Sequence, residues 1–384
     1  MLKTRPALNA ATLLYFLLLG TVLGQDAASQ KSQPSFSQSI IYQPRDLPEP
    51  KSKKQNKTEK NEAPVKPAPT AAPKVTPARQ GPITIPVSLF DASAKFVSGL
   101  ESSNFRVLVD GKKTEISSVI TRKEPLNLIL LVDTSPSTLY TSKAMRQVAT
   151  SLVEALNDDD KVMIMRFEGK QTLLAELTED RPLVRRAIRE IEIGGDGTSL
   201  YDSIRLVFEK TIPRITGRAV LVVLTDGVDS TSKNATYASS LAWAEYGDAT
   251  IFPVFFDTSA QNSRDPGRAA SRWVDGGISG AIASEILEKE QARNKKVAAM
   301  YELGKLYLND LLFLSGGRAI PARSFRDSPK ETADGIIAEI RQQYFVTFSP
   351  PPGGIPGQRK QLLVRVDRPN LAVLARGSYI VRPL

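Results

Sequence analysis

The chain of 384 residues contains neither histidine nor cysteine, which excludes Ser-His-Asp hydrolysis, ordinary histidine-based zinc sites and any disulfide framework. Its formal charge of +10 is concentrated at the start: residues 1–24 carry +2, residues 25–80 carry +5 and residues 81–384 carry the remaining +3. That distribution describes a basic tail ahead of a nearly balanced folded part, and it excludes an extended nucleic-acid groove.

Residues 1–24 set Lys3 and Arg5 before the apolar stretch "LLYFLLLGTVL", with Val22 and Gly24 as small residues at a cleavage site. This is the pattern of a secretory signal, and its apolar run falls short of the roughly 20 residues of a spanning helix. Residues 25–80 hold nine of the 26 prolines and strings such as "KSKKQNKTEKNE". With so little to bury, they are expected to form a disordered or extended linker, suited to solvation or to contact with an anionic cell surface. The expected location is therefore secreted, periplasmic or associated with the cell surface.

From Ile83 the pattern has period two, and "FRVLVDGKKTEI" reads as two strands around the hairpin pair Asp110-Gly111. Residues 83–122 are thus an N-terminal β segment. Over 124–343 the apolar runs "LNLILLVD", "KVMIMRFEG", "RAVLVVLTDG" and "ATIFPVFFDT" alternate with helical stretches, as in strands covered on both faces. Strands return over 344–384. The expected fold is α/β, a doubly wound, mostly parallel sheet inserted in a small β module that the flanking N- and C-terminal strands form together.

Ligands of such sheets gather beyond the carboxyl ends of the strands. Three polar clusters fall there: Asp133, Ser135 and Ser137 after the first core strand, Thr198 in "GGDGTSLYDS", and Asp226 in "LTDG". Taken singly, each could be a helix cap or a turn residue. Together, two carboxylates and three hydroxyls without a nitrogen or sulfur donor describe a hard-cation site, as for Mg²⁺ with its oxygen ligands at about 2.1 Å.

These residues resemble the metal-ion-dependent adhesion site (MIDAS) of von Willebrand factor A (VWA) domains, an Asp-x-Ser-x-Ser motif with a distant Thr and Asp. The flanking strands, "GGRA" and the closing "RQQYFVTFSP" and "RGSYIV" resemble more closely a secreted bacterial VWFA-related family first defined in Acidobacteria. The resemblance implies a non-catalytic adhesion module. In it, Asp133, Ser135, Ser137, Thr198 and Asp226 hold Mg²⁺, or Mn²⁺ or Ca²⁺ in its place, and a protein partner offers an Asp or Glu carboxylate. Pro136 stands where the family commonly has a small residue. A phosphohydrolase-like enzyme stays open as an alternative, although its usual second Asp is Ser135 here, as does a structural envelope protein with an inactive metal site. The stretch Ser259 to about Lys295, with Arg264, Arg268, Arg272 and Trp273, follows a core strand. It is expected either to read the partner beside the metal or to be a surface insertion ending in a solvated helix.

Overall fold

The computed structural model describes residues 36–39, 81–121, 124–263 and 280–382. The signal pattern, most of the 25–80 stretch, and Arg264, Arg268, Arg272 and Trp273 lie outside the described residues.

The chain begins with β1 (Ser37–Gln38), β2 (Ile83–Phe90), β3 (Phe105–Val109), β4 (Lys112–Thr114) and β5 (Ile116–Thr121). β1 corrects the expectation that 25–80 is linker throughout, because Ser37 and Gln38 pair antiparallel with Val366 and Arg365. Ser37 Oγ accepts from Leu371 N at 2.8 Å, and Ser39 Oγ accepts from Val364 N at 2.9 Å. An open sheet edge takes backbone partners from any extended segment, so no apolar run announced this strand. The β3–β4 hairpin turns as its sequence predicts, with Asp110 and Gly111 both at positive φ, 47° and 78°.

The α/β core follows: β6 (Leu126–Asp133), α1 (Ser142–Glu154), β7 (Lys161–Phe167), β8 (Gln171–Thr178), α2 (Arg181–Arg189), α3 (Leu200–Leu206), β9 (Arg218–Thr225), α4 (Tyr237–Tyr246), β10 (Ala249–Phe255), α5 (Ser259–Asn262), α6 (Gly280–Ser315), β11 (Ile320–Pro321), α7 (Ser324–Asp327) and α8 (Pro329–Gln342). The sheet order is β11-β10-β9-β6-β7-β8, parallel except for β8, which runs antiparallel to β7. Every residue of β6 is buried, and its side chains alternate between two cores. Leu126, Leu128, Leu130 and Val132 meet Met145 and Leu152 of α1, Ile188 of α2 and Ile336 of α8, while Ile129 and Leu131 meet Ile204 of α3, Leu241 of α4 and Leu311 of α6. At roughly 1.5–3 kcal/mol per fully buried aliphatic side chain, this strand anchors both layers.

The stretch from Ser259 to Lys295 is not a plain loop. α5 occupies its start, and α6 runs unbroken from Gly280 to Ser315, joining the solvated helix expected before Lys295 to the helix expected after it. α6 stops at Gly316, whose φ is 76°. A Cβ on the next residue, Gly317, would stand 1.8 Å from Ile251 O, a clash with rigid strand backbone. Gly317→Ala is therefore expected to destabilise the fold by about 1–3 kcal/mol or more; an unchanged urea midpoint would contradict this.

The chain closes with β12 (Tyr344–Phe348), β13 (Arg359–Val366), β14 (Ala372–Ala375) and β15 (Ser378–Ile380). β12 lies between β2 and β5, and β3 pairs with β13. The two flanking segments thus contribute to both sheets of one β module. Ile85, Val87 and Leu89 of β2 share a core with Val107 of β3 and with Leu362 and Val364 of β13. The α/β core is inserted between the two halves of that module, as the fold class read from the sequence requires.

Candidate metal centre

The polar clusters sit at the carboxyl edge of the parallel sheet. Asp133 is the last residue of β6 and lies in register with Phe167 at the end of β7, and Asp226 follows the last residue of β9, Thr225. Asp133, Ser135 and Asp226 are fully buried and Thr198 is nearly so, whereas Ser137 is half-buried and opens toward solvent.

Within the first loop, Ser135 N donates to Asp133 Oδ1 at 3.0 Å, and the hydroxyls of Ser135 and Ser137 lie 3.1 Å apart. Pro136 opens a 3₁₀ turn over Pro136–Thr141, where its fixed φ is already suitable. Thr138 Oγ1 locks the turn by donating to Ser135 O at 2.8 Å. The Thr198 loop is tied to this one through Gly194 N and Thr134 O at 2.9 Å, and to the Asp226 loop through Ser230 N and Thr231 N, which donate to Thr198 O at 2.8 and 2.9 Å. Thr225 Oγ1 donates to Asp133 Oδ2 at 2.7 Å, which links the ends of β6 and β9. Asp226 Oδ1 accepts from Val228 N at 3.1 Å, and its Oδ2 accepts from Thr258 Oγ1 at 2.7 Å.

Burial first, and the neighbouring Asp226 carboxylate second, push Asp133 up from 3.8 to about 7. Two buried acids facing one another form a charge arrangement that a divalent cation relieves. Among the described residues no group of three or more His, Cys, Asp or Glu could hold a metal, so an ion here would depend on hydroxyl and water oxygens beside the two carboxylates. That donor set fits a hard cation and suits neither copper nor a thiolate-bound metal.

All five residues read from the sequence stand on loops that hydrogen bonds join into one edge. Thr198 is not the cap of α3: Ser199 occupies the N-cap position, without a side-chain capping bond. The sequence reading missed Thr225, Thr258, Asn262 and Tyr301. Asn262 Nδ2 donates to Ser137 O at 3.0 Å and to Tyr301 OH at 2.9 Å, and the hydroxyls of Thr258 and Tyr301 are 2.7 Å apart. Burial pushes the Tyr301 phenol up to about 12, so it stays protonated. Thr225 and Thr258 had a signal, since each is a hydroxyl at or just past the end of an apolar strand. Tyr301 had none, because its place depends on how a distant helix docks.

Residues 128–228 match the family model of the von Willebrand factor type A domain. No curated protein matches the chain. Similar solved structures include the conserved hypothetical protein BatB from Bacteroides thetaiotaomicron, at 22% identity and TM-score 0.29 over 34% of this chain and 66% of that one. A von Willebrand factor type A protein from Catenulispora acidiphila is 12% identical, with TM-score 0.35 over 82% of this chain and 75% of that one. Proximal thread matrix protein 1 from the mussel byssus, with a zinc-occupied MIDAS motif, is 14% identical, with TM-score 0.31 over 36% of this chain and 38% of that one. The chain thus spans just under two thirds of the BatB structure and well under half of the byssus protein.

Proposed function

From the VWA domain at residues 128–228, we propose that the protein is a non-catalytic, metal-dependent interaction module of the exported kind, related to the secreted bacterial VWFA-related proteins. Asp133, Ser135, Ser137, Thr198 and Asp226 would hold Mg²⁺, with Mn²⁺ or Ca²⁺ able to replace it. When bound, the ion supplies an electrophilic position for a carboxylate oxygen of a partner's Asp or Glu. The observation that carries this reading is the pair of buried carboxylates, Asp133 and Asp226, held at one sheet edge by hydroxyl-bearing loops. The chain's own part is to hold those oxygens in place before the ion arrives and to leave the Ser137 side open for the partner. A phosphohydrolase would want a second acid two residues after Asp133. Ser135 occupies that position, with its hydroxyl turned to Ser137, so the non-catalytic reading is favoured.

The test is calorimetric titration of the purified protein with Mg²⁺, together with capture from an envelope extract in Mg²⁺ and in EDTA. Metal binding without EDTA-sensitive capture would leave the adhesion part unsupported, and absence of both would remove the proposal.

Partner selectivity should come from the rim. Leu139 and Tyr140, two and three residues beyond Ser137, are 53% and 74% exposed, and an exposed aromatic beside a charged anchor is a common hot spot. Tyr140→Ala is expected to weaken capture about tenfold, a typical hot-spot cost, and to leave Mg²⁺ affinity unchanged; equal capture by the variant would remove Tyr140 from the rim. Arg264, Arg268, Arg272 and Trp273 are proposed as partner contacts on the sequence alone, Arg and Trp being frequent hot-spot residues.

A further inference from the structure

The long helix α6 meets the proposed metal loops along one face. Tyr301, Gly304 and Leu308 follow one another at helical spacing, and they lie against the turn after β9. A Cβ on Gly304 would stand 2.5 Å from Gly227 O, and a Cβ on Gly227 would stand 3.1 Å from both Gly304 O and Leu308 Cδ1. Helix backbone and loop backbone therefore touch, and the helix cannot shift toward the loop without moving it. Along α6 the described side chains from Ser284 to Met300 are exposed or half-buried, and Tyr301 is the first buried one.

One turn before the glycine contact, the Tyr301 hydroxyl enters a chain of hydrogen bonds with a determinable direction. Thr258 Oγ1 has a single proton, and it goes to Asp226 Oδ2 at 2.7 Å. The 2.7 Å contact between Thr258 and Tyr301 must then be donated by the phenol, since the threonine proton is already used. Asn262 Nδ2 lies 2.9 Å from Tyr301 OH and 2.9 and 3.0 Å from the carbonyls of Thr258 and Ser137; the carbonyls fix which side of that amide is the nitrogen, and its two protons are shared among the three acceptors. The phenol proton goes to Thr258 and the threonine proton to Asp226, whose Oδ2 also lies 3.4 Å from Tyr301 OH, while Asn262 Nδ2 sits between Tyr301 OH and Ser137 O. This network joins the Ser137 loop to the Asp226 carboxylate through one side chain of α6. Phenylalanine would fill the same space, so apolar packing alone gives no reason for a buried hydroxyl at this position.

We infer that Tyr301 is a positioning residue that couples the seat of α6 to the geometry of the metal loops, so that displacing the helix weakens the metal site and occupying the site holds the helix in place. This rests on the proposed metal reading for its consequence, but the coupling of loops to helix stands without the ion. Reciprocity follows from linkage: if helix seating changes metal affinity, metal changes helix seating by the same factor. The exposed first half of α6 is thereby a handle through which a partner or a neighbouring segment can act on the site from outside it.

The test uses the full chain with Mg²⁺ alone as the probe. Tyr301→Phe is expected to raise the Mg²⁺ dissociation constant about tenfold, the usual loss when a residue supporting a metal ligand is removed, without a comparable loss of thermal stability. In the absence of metal, the amides of Ser135 and Val228, which donate to Asp133 and Asp226, should exchange with solvent faster in the variant. In the wild type, Mg²⁺ should slow exchange over residues 300–308, and in Tyr301→Phe it should not. Thr258→Ser, which keeps the hydroxyl, should preserve affinity, whereas Thr258→Val should lose it. A purely structural tyrosine would lower stability and leave dissociation constant, loop exchange and the Thr258 contrast untouched, and that result overturns the inference. If the wild type takes no Mg²⁺, the metal reading fails, and metal-free exchange at Ser135 and Val228 alone decides the coupling: faster exchange in Tyr301→Phe sustains it, and equal exchange ends it.

Discussion

Asp133→Ala is expected to abolish calorimetric Mg²⁺ binding and all Mg²⁺-dependent capture while the protein remains folded. The residue stands at the end of the central strand, completely buried, with Ser135 N on one carboxylate oxygen and Thr225 Oγ1 on the other. Removing it deletes one of the two carboxylates among the five site residues. With hydroxyls and water as the remaining donors, one carboxylate is too little charge to hold a strongly hydrated divalent ion. The stability cost should be small because two terms oppose. Two donors lose their acceptor, at about 1–3 kcal/mol for an unsatisfied buried group, yet the burial of the carboxylate and, second, its repulsion from Asp226, which together raise Asp133 to about 7, also disappear. Thermal unfolding with and without Mg²⁺ separates the terms: the wild type should gain stability with added metal by mass action, and the variant should gain nothing. A variant that still binds Mg²⁺ with wild-type affinity would withdraw Asp133 from the site.

The parts of this site legible in the sequence were those whose chemistry and place share one short stretch. "LILLVD" states both a fully buried strand and the carboxylate at its end, and "LTDG" does the same for β9. What the sequence did not show depended on distant packing. β8 escaped because only Ala175 in it is buried, so its alternation is faint beside the wholly apolar β6 and β9. β1 escaped because two residues of backbone pairing carry no hydrophobic signature. Tyr301 escaped because it lies 75 residues from Asp226, on a helix whose docking angle follows from the absence of a side chain at Gly304 and Gly227.

The joint between the α/β core and the β module is the other place where one substitution should have a large effect. Glu245, in the last turn of α4, has a fully buried side chain. Arg359 of β13 grips it with Nε at 2.9 and 3.0 Å and Nη2 at 2.6 Å, and Ser378 Oγ donates to it at 2.5 Å. Two more arginines converge on the same helix end. Arg376 Nη2 donates to Gly247 O at 2.5 Å, and Arg382 pairs with Asp248 at 2.9 Å. Cations at a helix C-terminus are favoured by its dipole, so the arrangement docks the module on α4 by charge as well as by shape. Among the described residues, Arg359→Ala would leave the buried Glu245 carboxylate with Ser378 Oγ as its side-chain hydrogen-bond donor. Breaking a buried pair from one side costs roughly 3–5 kcal/mol, and because the Arg359 side chain is 34% exposed the lower end of that range is expected. As a control, the Lys330–Asp334 pair lies on the surface with side chains 81% and 45% exposed, and Lys330→Ala should leave the urea midpoint nearly unchanged. The double variant Arg359→Leu with Glu245→Leu should recover much of the loss, because it removes the stranded charge along with its partner. Urea unfolding of the four proteins decides it: if Arg359→Ala loses no more than Lys330→Ala, the ion pair does not hold the module to the core.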